Sequence, residues 1–399
     1  MQLSKLLYKN IFWRGLNMAS VFVLNVLIAQ VFGAALYGQL FFFVNSLAFA
    51  LLVVSFSLDS GFLFYGAKNE LNTSTAVIVA FVWATAGAIL VYLLYLTIGT
   101  AKQSGVQSFM YIAGMLLLTF FSALYTAKHN YALPNLTIVA INCVLATLLF
   151  FYKDDFEKFN TLFFIAVLAQ GLIIGLGYCI IYIKSFKIEL PNKVEVLKIV
   201  KYASVAFLGN ILFFLVYRID YWFVDRFVAD KQQLGNYIQV SKVGQLFIIL
   251  PSIIASTIFA VTAEGKKEDM HLKIVKVSKL IFVFVVLAST PLVLFGKWIF
   301  PFVFGNTFVF MYEPFLWLLP GVIALAIQAP FAAFNAGLNK QKANFLATIL
   351  ALAIIIIGDL YLIPIAGIKG AALASSIGYS CCGVYLLYCY KRSKIYSQS

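Results

Sequence analysis

The sequence predicts an all-α polytopic membrane protein of twelve transmembrane helices in two six-helix bundles. Three observations carry this. Twelve apolar stretches, each long enough to cross a bilayer, run from residue 11 to residue 390 with short polar breaks between them. Hydrophobic residues make up 63% of the chain and charged residues only 11%, far from the balance of a soluble domain. Lysine and arginine are shared unequally between alternate breaks. Backbone groups in hydrocarbon have no water partner, so only helices or closed barrels can span it. These runs are continuous rather than alternating, which selects helices.

Span one covers 11–32 and is preceded by Lys5 and Lys9. No small-residue cleavage pattern follows, so it is expected to be the first helix of the mature protein and not a cleaved signal. Span two is 38–65. Spans three to six are 76–99, 106–127, 132–152 and 161–183. Residues 184–202 then form one of the longest polar breaks, midway along the chain, and divide an N-terminal bundle, 1–190, from a C-terminal one, 191–399. Pro191 and Asn192 open a segment in which Val194, Leu197 and Val200 recur at helical spacing between lysines. This is either a short amphipathic helix on the inner face or an ordinary linker. Spans seven to twelve are 203–227, 234–261, 274–296, 312–336, 343–364 and 367–390.

With the N-terminus inside, twenty of the 29 Lys and Arg fall on inner segments and seven on outer ones. Lys68, Lys128, Lys184, Lys187, Lys266, Lys267 and Lys391 are inner; Lys102, Lys153, Lys297 and Lys369 are outer. An error in the number of spans would scramble this asymmetry. The positive-inside rule therefore supports twelve spans and two cytoplasmic termini. The net charge of +14 reflects this topology and contact with anionic head groups. No basic soluble surface exists to carry nucleic acid.

Several chemistries are disfavoured. The five cysteines, Cys143, Cys179, Cys381, Cys382 and Cys389, lie in apolar spans without metal spacing and read as small hydrophobes. His129 and His271 are the only histidines and belong to no paired motif, so a metal site and metal catalysis are not expected. Gly265-Lys266-Lys267 lacks the first glycine and the hydroxyl of a phosphate-binding loop. Trp83 and most Tyr and Phe are expected at the lipid surface or interface. No cofactor and no catalytic residue is expected.

The halves are weakly similar. Leu36-Tyr37-Gly38-Gln39 follows span one, and Leu234-Gly235-Asn236-Tyr237 follows span seven, each expected in the first outer turn of its half. Six helices per half conserve orientation, so the repeat is parallel, about an axis along the membrane normal.

These pieces carry a resemblance. Together with Asn10-Ile11-Phe12-Trp13-Arg14-Gly15, Arg218-Ile219-Asp220, Phe302-Val303-Phe304-Gly305-Asn306-Thr307-Phe308, and Leu362-Ile363-Pro364 followed by Gly367-Ile368-Lys369-Gly370-Ala371-Ala372, the chain resembles the polysaccharide and O-antigen flippases. These belong to the multidrug/oligosaccharidyl-lipid/polysaccharide superfamily. The resemblance implies a V-shaped pair of bundles around a central cavity and alternating access by rocking of the halves. The implied cargo is an undecaprenyl-diphosphate-linked oligosaccharide, moved from the cytoplasmic to the outer leaflet of the bacterial inner membrane for O-antigen or capsule assembly. Implied partners are membrane lipids, a coupling ion (H+ or Na+) and the polysaccharide polymerase machinery.

Such a cargo has an anionic diphosphate, a polar glycan and an apolar tail. A charge at the centre of a membrane helix costs about 2.5–3.5 kcal/mol on insertion scales, so each one needs a reason. Arg218 in span seven and Lys242 in span eight lie about 14 Å and about 12 Å from the outer boundary at 1.5 Å per residue. Lys242 shares a helical face with Gln239 and Gln245. Arginine offers a bidentate fork to a phosphate and lysine a point charge. Two readings stand: both cations face the diphosphate, or Lys242 bridges to Asp220 within the protein.

Asp220, matching the acidic position of the family motif, either couples transport to an ion or pairs structurally. Asp59, at the inner end of span two, is a further coupling candidate, although it and Asp359 also lie where interfacial water is in reach. The family often has Asn where Asp359 stands. Arg14, Asn17 and Asn25 fall within about 80° on the span-one wheel, a polar stripe suited to a cavity lining, while Arg14 alone is equally explained by the inner head-group region. Glycan contacts are distributed hydrogen bonds, for which Asn45, Asn142, Asn210, Gln328 and Asn335 are candidates.

Three functions are weighed: a lipid-linked glycan flippase, a multidrug-type cation antiporter, and a membrane glycan polymerase or ligase. The antiporters rely on acidic cavities in the first half, and span one has no carboxylate. The enzymes need a sizeable outer loop, and the longest outer break is residues 297–311.

Overall fold

The computed structural model describes residues 2–97, 102–183, 191–263, 270–338 and 340–396. Lys184, Lys187, Gly265, Lys266 and Lys267 lie outside the described residues. The described chain is all-helical: α1 Gln2–Ser55, α2 Leu58–Ala67, α3 Thr73–Thr97, α4 Lys102–Ala127, α5 Ala132–Phe151, α6 Phe156–Tyr182, α7 Lys193–Phe227, α8 Lys231–Ala263, α9 Met270–Phe304, a 3-10 helix Asn306–Met311, α10 Tyr312–Gly337, α11 Gln341–Ala366 and α12 Ile368–Tyr396.

Among the described residues, eleven helices are long and apolar enough to cross a membrane. The difference from the expected twelve lies in α1. At 54 residues it would be about 80 Å long, far beyond a hydrocarbon core of about 30 Å. The backbone is not helical at Gly33, with φ 72° and ψ 173°, so α1 holds two spans joined there. The expected second span is also interrupted. Phe56 and Ser57 are left-handed, which ends α1 and starts α2. Trp83 donates from Nε1 to the Val54 carbonyl just before this break, at 2.7 Å, and so bonds inside the protein instead of anchoring an interface.

The chain divides into two compact units. The first is Met1–Phe32 with Phe43–Ile211, the second Gly33–Phe42 with Leu212–Ser399. The first ten residues after the α1 break thus go with the second unit, and α7 runs from one unit into the other. Lys193–Tyr202 is neither a separate helix nor a linker but the first turns of α7, with Val194 and Leu197 exposed and Ile199 buried.

In the first unit, Asn17 bonds Asn135 at 2.9 Å and Asn142 bonds Ser20 at 3.0 Å, tying α1 to α5. Phe43 packs on Tyr95 of α3 and Phe164 of α6. α4 and α6 approach backbone to backbone at Gly114 and Gly171, where a Cβ on either would strike the other helix.

In the second unit the two glycine motifs behave unlike turn motifs. Gly38 and Gly235 lie inside helices, and a Cβ on Gly38 would sit 2.7 Å from the Gly235 nitrogen. Their use is close helix contact, not left-handed geometry. The conformational glycines are Gly33, Gly305 and Gly367. Gly367, at φ 57°, caps α11 by bonding its N–H to the Ile363 carbonyl at 2.8 Å. The Ala34 N–H that the Gly33 break leaves free is taken up by Thr307 Oγ1 at 2.9 Å.

Candidate functional site

Arg218 and Lys242 are both in the second unit, on neighbouring helices, and within electrostatic reach of each other. Each is held by neutral groups. The Arg218 guanidinium donates to Tyr221 Oη at 2.6 Å and to Gln245 Oε1 at 2.9 Å, and it lies over the Tyr221 ring. Among the described residues no carboxylate stands within ion-pairing distance of Arg218, and the side chain is half-buried.

Lys242 donates to Tyr37 Oη at 2.7 Å and stands 3.2 Å from the centre of the Phe41 ring. Tyr37 in turn donates to Gln239 Oε1. The polar stripe expected on span eight is therefore one assembly: Gln245 orients Arg218, while Gln239 fixes the tyrosine that receives Lys242. Tyr37 carried no functional signal in the sequence, because it sits in a motif that reads as a turn.

The expected Asp220–Lys242 bridge does not form. Asp220 Oδ2 accepts from Tyr237 and, at 3.1 Å, from Ser375. The physical reason is direction. Asp220 projects about 200° around α7 from Arg218. It therefore meets Tyr237 and the Ser375 face of α12.

Asp359 is also corrected. It does not reach interfacial water but is fully buried, within electrostatic reach of Asp220. Both its oxygens and Asp220 Oδ1 have no hydrogen-bond partner. Three orphaned carboxylate oxygens buried within electrostatic reach of one another are costly unless a proton or cation is taken up there.

The remaining expected residues belong to the first unit. Arg14, Asn17 and Asp59 line one cavity of about 520 Å³. Asn25 is not among its lining residues and bonds back to the Val21 carbonyl of its own helix at 2.8 Å. The span-one stripe is thus split. Of the amides considered for glycan contact, Asn45, Asn142, Gln328 and Asn335 are buried in the helix packing, and Asn210 bonds Ser57 at 3.0 Å.

No family model and no curated protein matches the sequence. Solved structures do match. Lipid II flippase MurJ, in an inward closed conformation, superposes with a TM-score of 0.74 at 16% identity, over 96% of this chain and 87% of that one. An inward-facing multidrug resistance MATE family transporter of the MOP superfamily gives 0.73 at 14%, over 96% of each chain. A MOP superfamily transporter from Pyrococcus furiosus, in which reverse polarity of the binding pocket suggests a different function, gives 0.62 at 14%, over 97% of this chain and 95% of that one. The chain has the fold of these transporters.

Proposed function

We propose that this chain is a flippase for an undecaprenyl-diphosphate-linked oligosaccharide, carrying it from the cytoplasmic to the outer leaflet for surface polysaccharide assembly. The observation that supports it is the state of Arg218. A guanidinium within a membrane span, held by a tyrosine and a glutamine, in direct ion pair with no carboxylate among the described residues and with Asp220 in electrostatic reach, is suited to an anionic head group. Lys242 adds a second basic side chain on the next helix. The fold shared with a lipid II flippase is consistent with a lipid-linked cargo.

The carboxylate pocket of Asp220 and Asp359 is assigned the coupling role, taking up H+ or Na+ as the cycle turns. Coupling is one of the two readings open for Asp220; Asp359 joins it because its oxygens are orphaned within electrostatic reach. The flippase reading keeps an N-terminal bundle over 1–190 and a C-terminal bundle over 191–399, with both chain ends on the cytoplasmic side.

The buried acidic pair also admits a second reading, a cation antiporter, although it lies in the second unit and not in the first half where such antiporters carry their acidic cavity. One experiment separates the two. In a strain lacking its native flippase, the chain restores outer-leaflet glycan and confers no resistance to cationic drugs. Drug resistance without glycan export would replace the first reading by the second.

A further inference from the structure

The cavity that Arg14 and Asp59 line in the first unit has a chemistry unlike that of the cationic site. It measures about 520 Å³, within the range of small-ligand pockets. Its α4 wall carries Thr119, Ser122 and Thr126. These positions fall within about 60° of arc on a helix of 3.6 residues per turn, so three hydroxyls form one stripe. The α5 side contributes Tyr131 and Asn135.

Hydroxyls on a helix usually bond back to a carbonyl one turn earlier. Thr119 does so, to Met115 at 2.8 Å. Ser122 and Thr126 make no such bond among the described residues. Their hydroxyls are left for whatever fills the cavity. Arg14 and Asp59 give the lining one charge of each sign, so it selects neither a cation nor an anion.

We propose that this cavity recognises one sugar residue of the carried glycan, through the Ser122 and Thr126 hydroxyls. A pyranose ring is neutral, presents donors and acceptors around its rim, and offers C–H faces to apolar side chains such as Leu63 and Ile138. The inference rests on the flippase reading and gives the sugar a site of its own within the first unit.

The test uses the purified full chain in detergent and two probes. One is the free oligosaccharide released by mild acid from the lipid-linked oligosaccharide of the source cells. The other is undecaprenyl diphosphate without sugar. The Ser122→Val, Thr126→Val double variant is expected to bind the oligosaccharide about tenfold more weakly, as loss of two hydrogen bonds requires, with undecaprenyl diphosphate binding unchanged.

Ser122→Ala and Thr126→Ala, measured singly, provide the same reading should the double variant not fold. They are expected to weaken oligosaccharide binding about threefold each. Equal oligosaccharide binding by wild type and variants, or none by wild type, overturns the proposal. Failure of the flippase reading is read separately, as undecaprenyl diphosphate binding that is absent or indifferent to Arg218→Gln.

Discussion

Arg218 of α7 donates to Gln245 of α8 at 2.9 Å, so a membrane-embedded cation is aimed by an uncharged amide. An ion pair would have neutralised it. An amide fixes the direction of the guanidinium without an opposing charge in the pair. Retention of charge and release of cargo are both required of a transporter, since a site that binds too tightly stops the cycle.

Replacing Arg218 with Gln or Ala is therefore expected to abolish glycan export while the protein stays in the membrane. Arg218→Lys should keep part of the activity, because charge remains although the fork is lost. Gln245→Leu should lower export about tenfold, the order expected for one charge-assisted hydrogen bond. Outer-leaflet glycan in a strain lacking its flippase is the readout. Full export by an Arg218→Ala, Lys242→Ala double variant would remove the electrostatic basis of the function proposed.

Asp359 should behave in the opposite way towards stability. Its two oxygens have no hydrogen-bond partner, so the native fold carries a cost there whenever no proton or cation is taken up. Asp359→Asn or Asp359→Leu should leave the melting temperature unchanged or raise it, by an amount equivalent to about 1–3 kcal/mol. The same variants should make transport indifferent to an imposed H+ or Na+ gradient. A lower melting temperature together with intact gradient response would remove the coupling role.

Gly38 and Gly235 test the helix contact. Alanine at either position puts a methyl against backbone, and overpacking of this kind costs about 1–3 kcal/mol. Thermal unfolding in detergent should fall for both, and further for Gly235→Val. A neutral Gly38→Ala would mean that the two helices do not approach as described.

Gly33 is a separate case, because its φ of 72° is itself the constraint. Gly33→Ala should destabilise by about 1 kcal/mol from backbone strain alone. Thr307→Val should cost a similar amount by orphaning the Ala34 N–H, within about 0.5–2 kcal/mol for loss of a helix cap. Unfolding midpoints of the single and double variants measure both. Coupling is expected, since the two residues touch.

Topology is checked by labelling. With the native cysteines replaced, Lys102→Cys should react with an impermeant thiol reagent from outside the cell and Lys391→Cys only after the membrane is opened. Equal reaction from one side would exclude cytoplasmic termini with twelve spans.

The sequence by itself determined the class of fold and the charged residues to suspect. Those properties depend on composition along one helix: the length of an apolar run, and the cost of a charge within it. Arg218, Lys242 and Asp220 were legible for that reason. Orientation between helices is a different quantity. Whether Lys242 met Asp220 or Tyr37 depended on which way two helices turn their faces, and no single-helix pattern contains that. Asp359 read as an interfacial residue because its depth was judged from its distance to the end of a run. Packing against α12 buried it. The glycines of the two short motifs read as turn formers because glycine serves turns and close contacts equally; only the neighbouring backbone distinguished the uses. The hydroxyl stripe of α4 was invisible in an apolar sequence where serine and threonine are common. Tertiary structure gave it meaning by opening a cavity in front of Ser122 and Thr126.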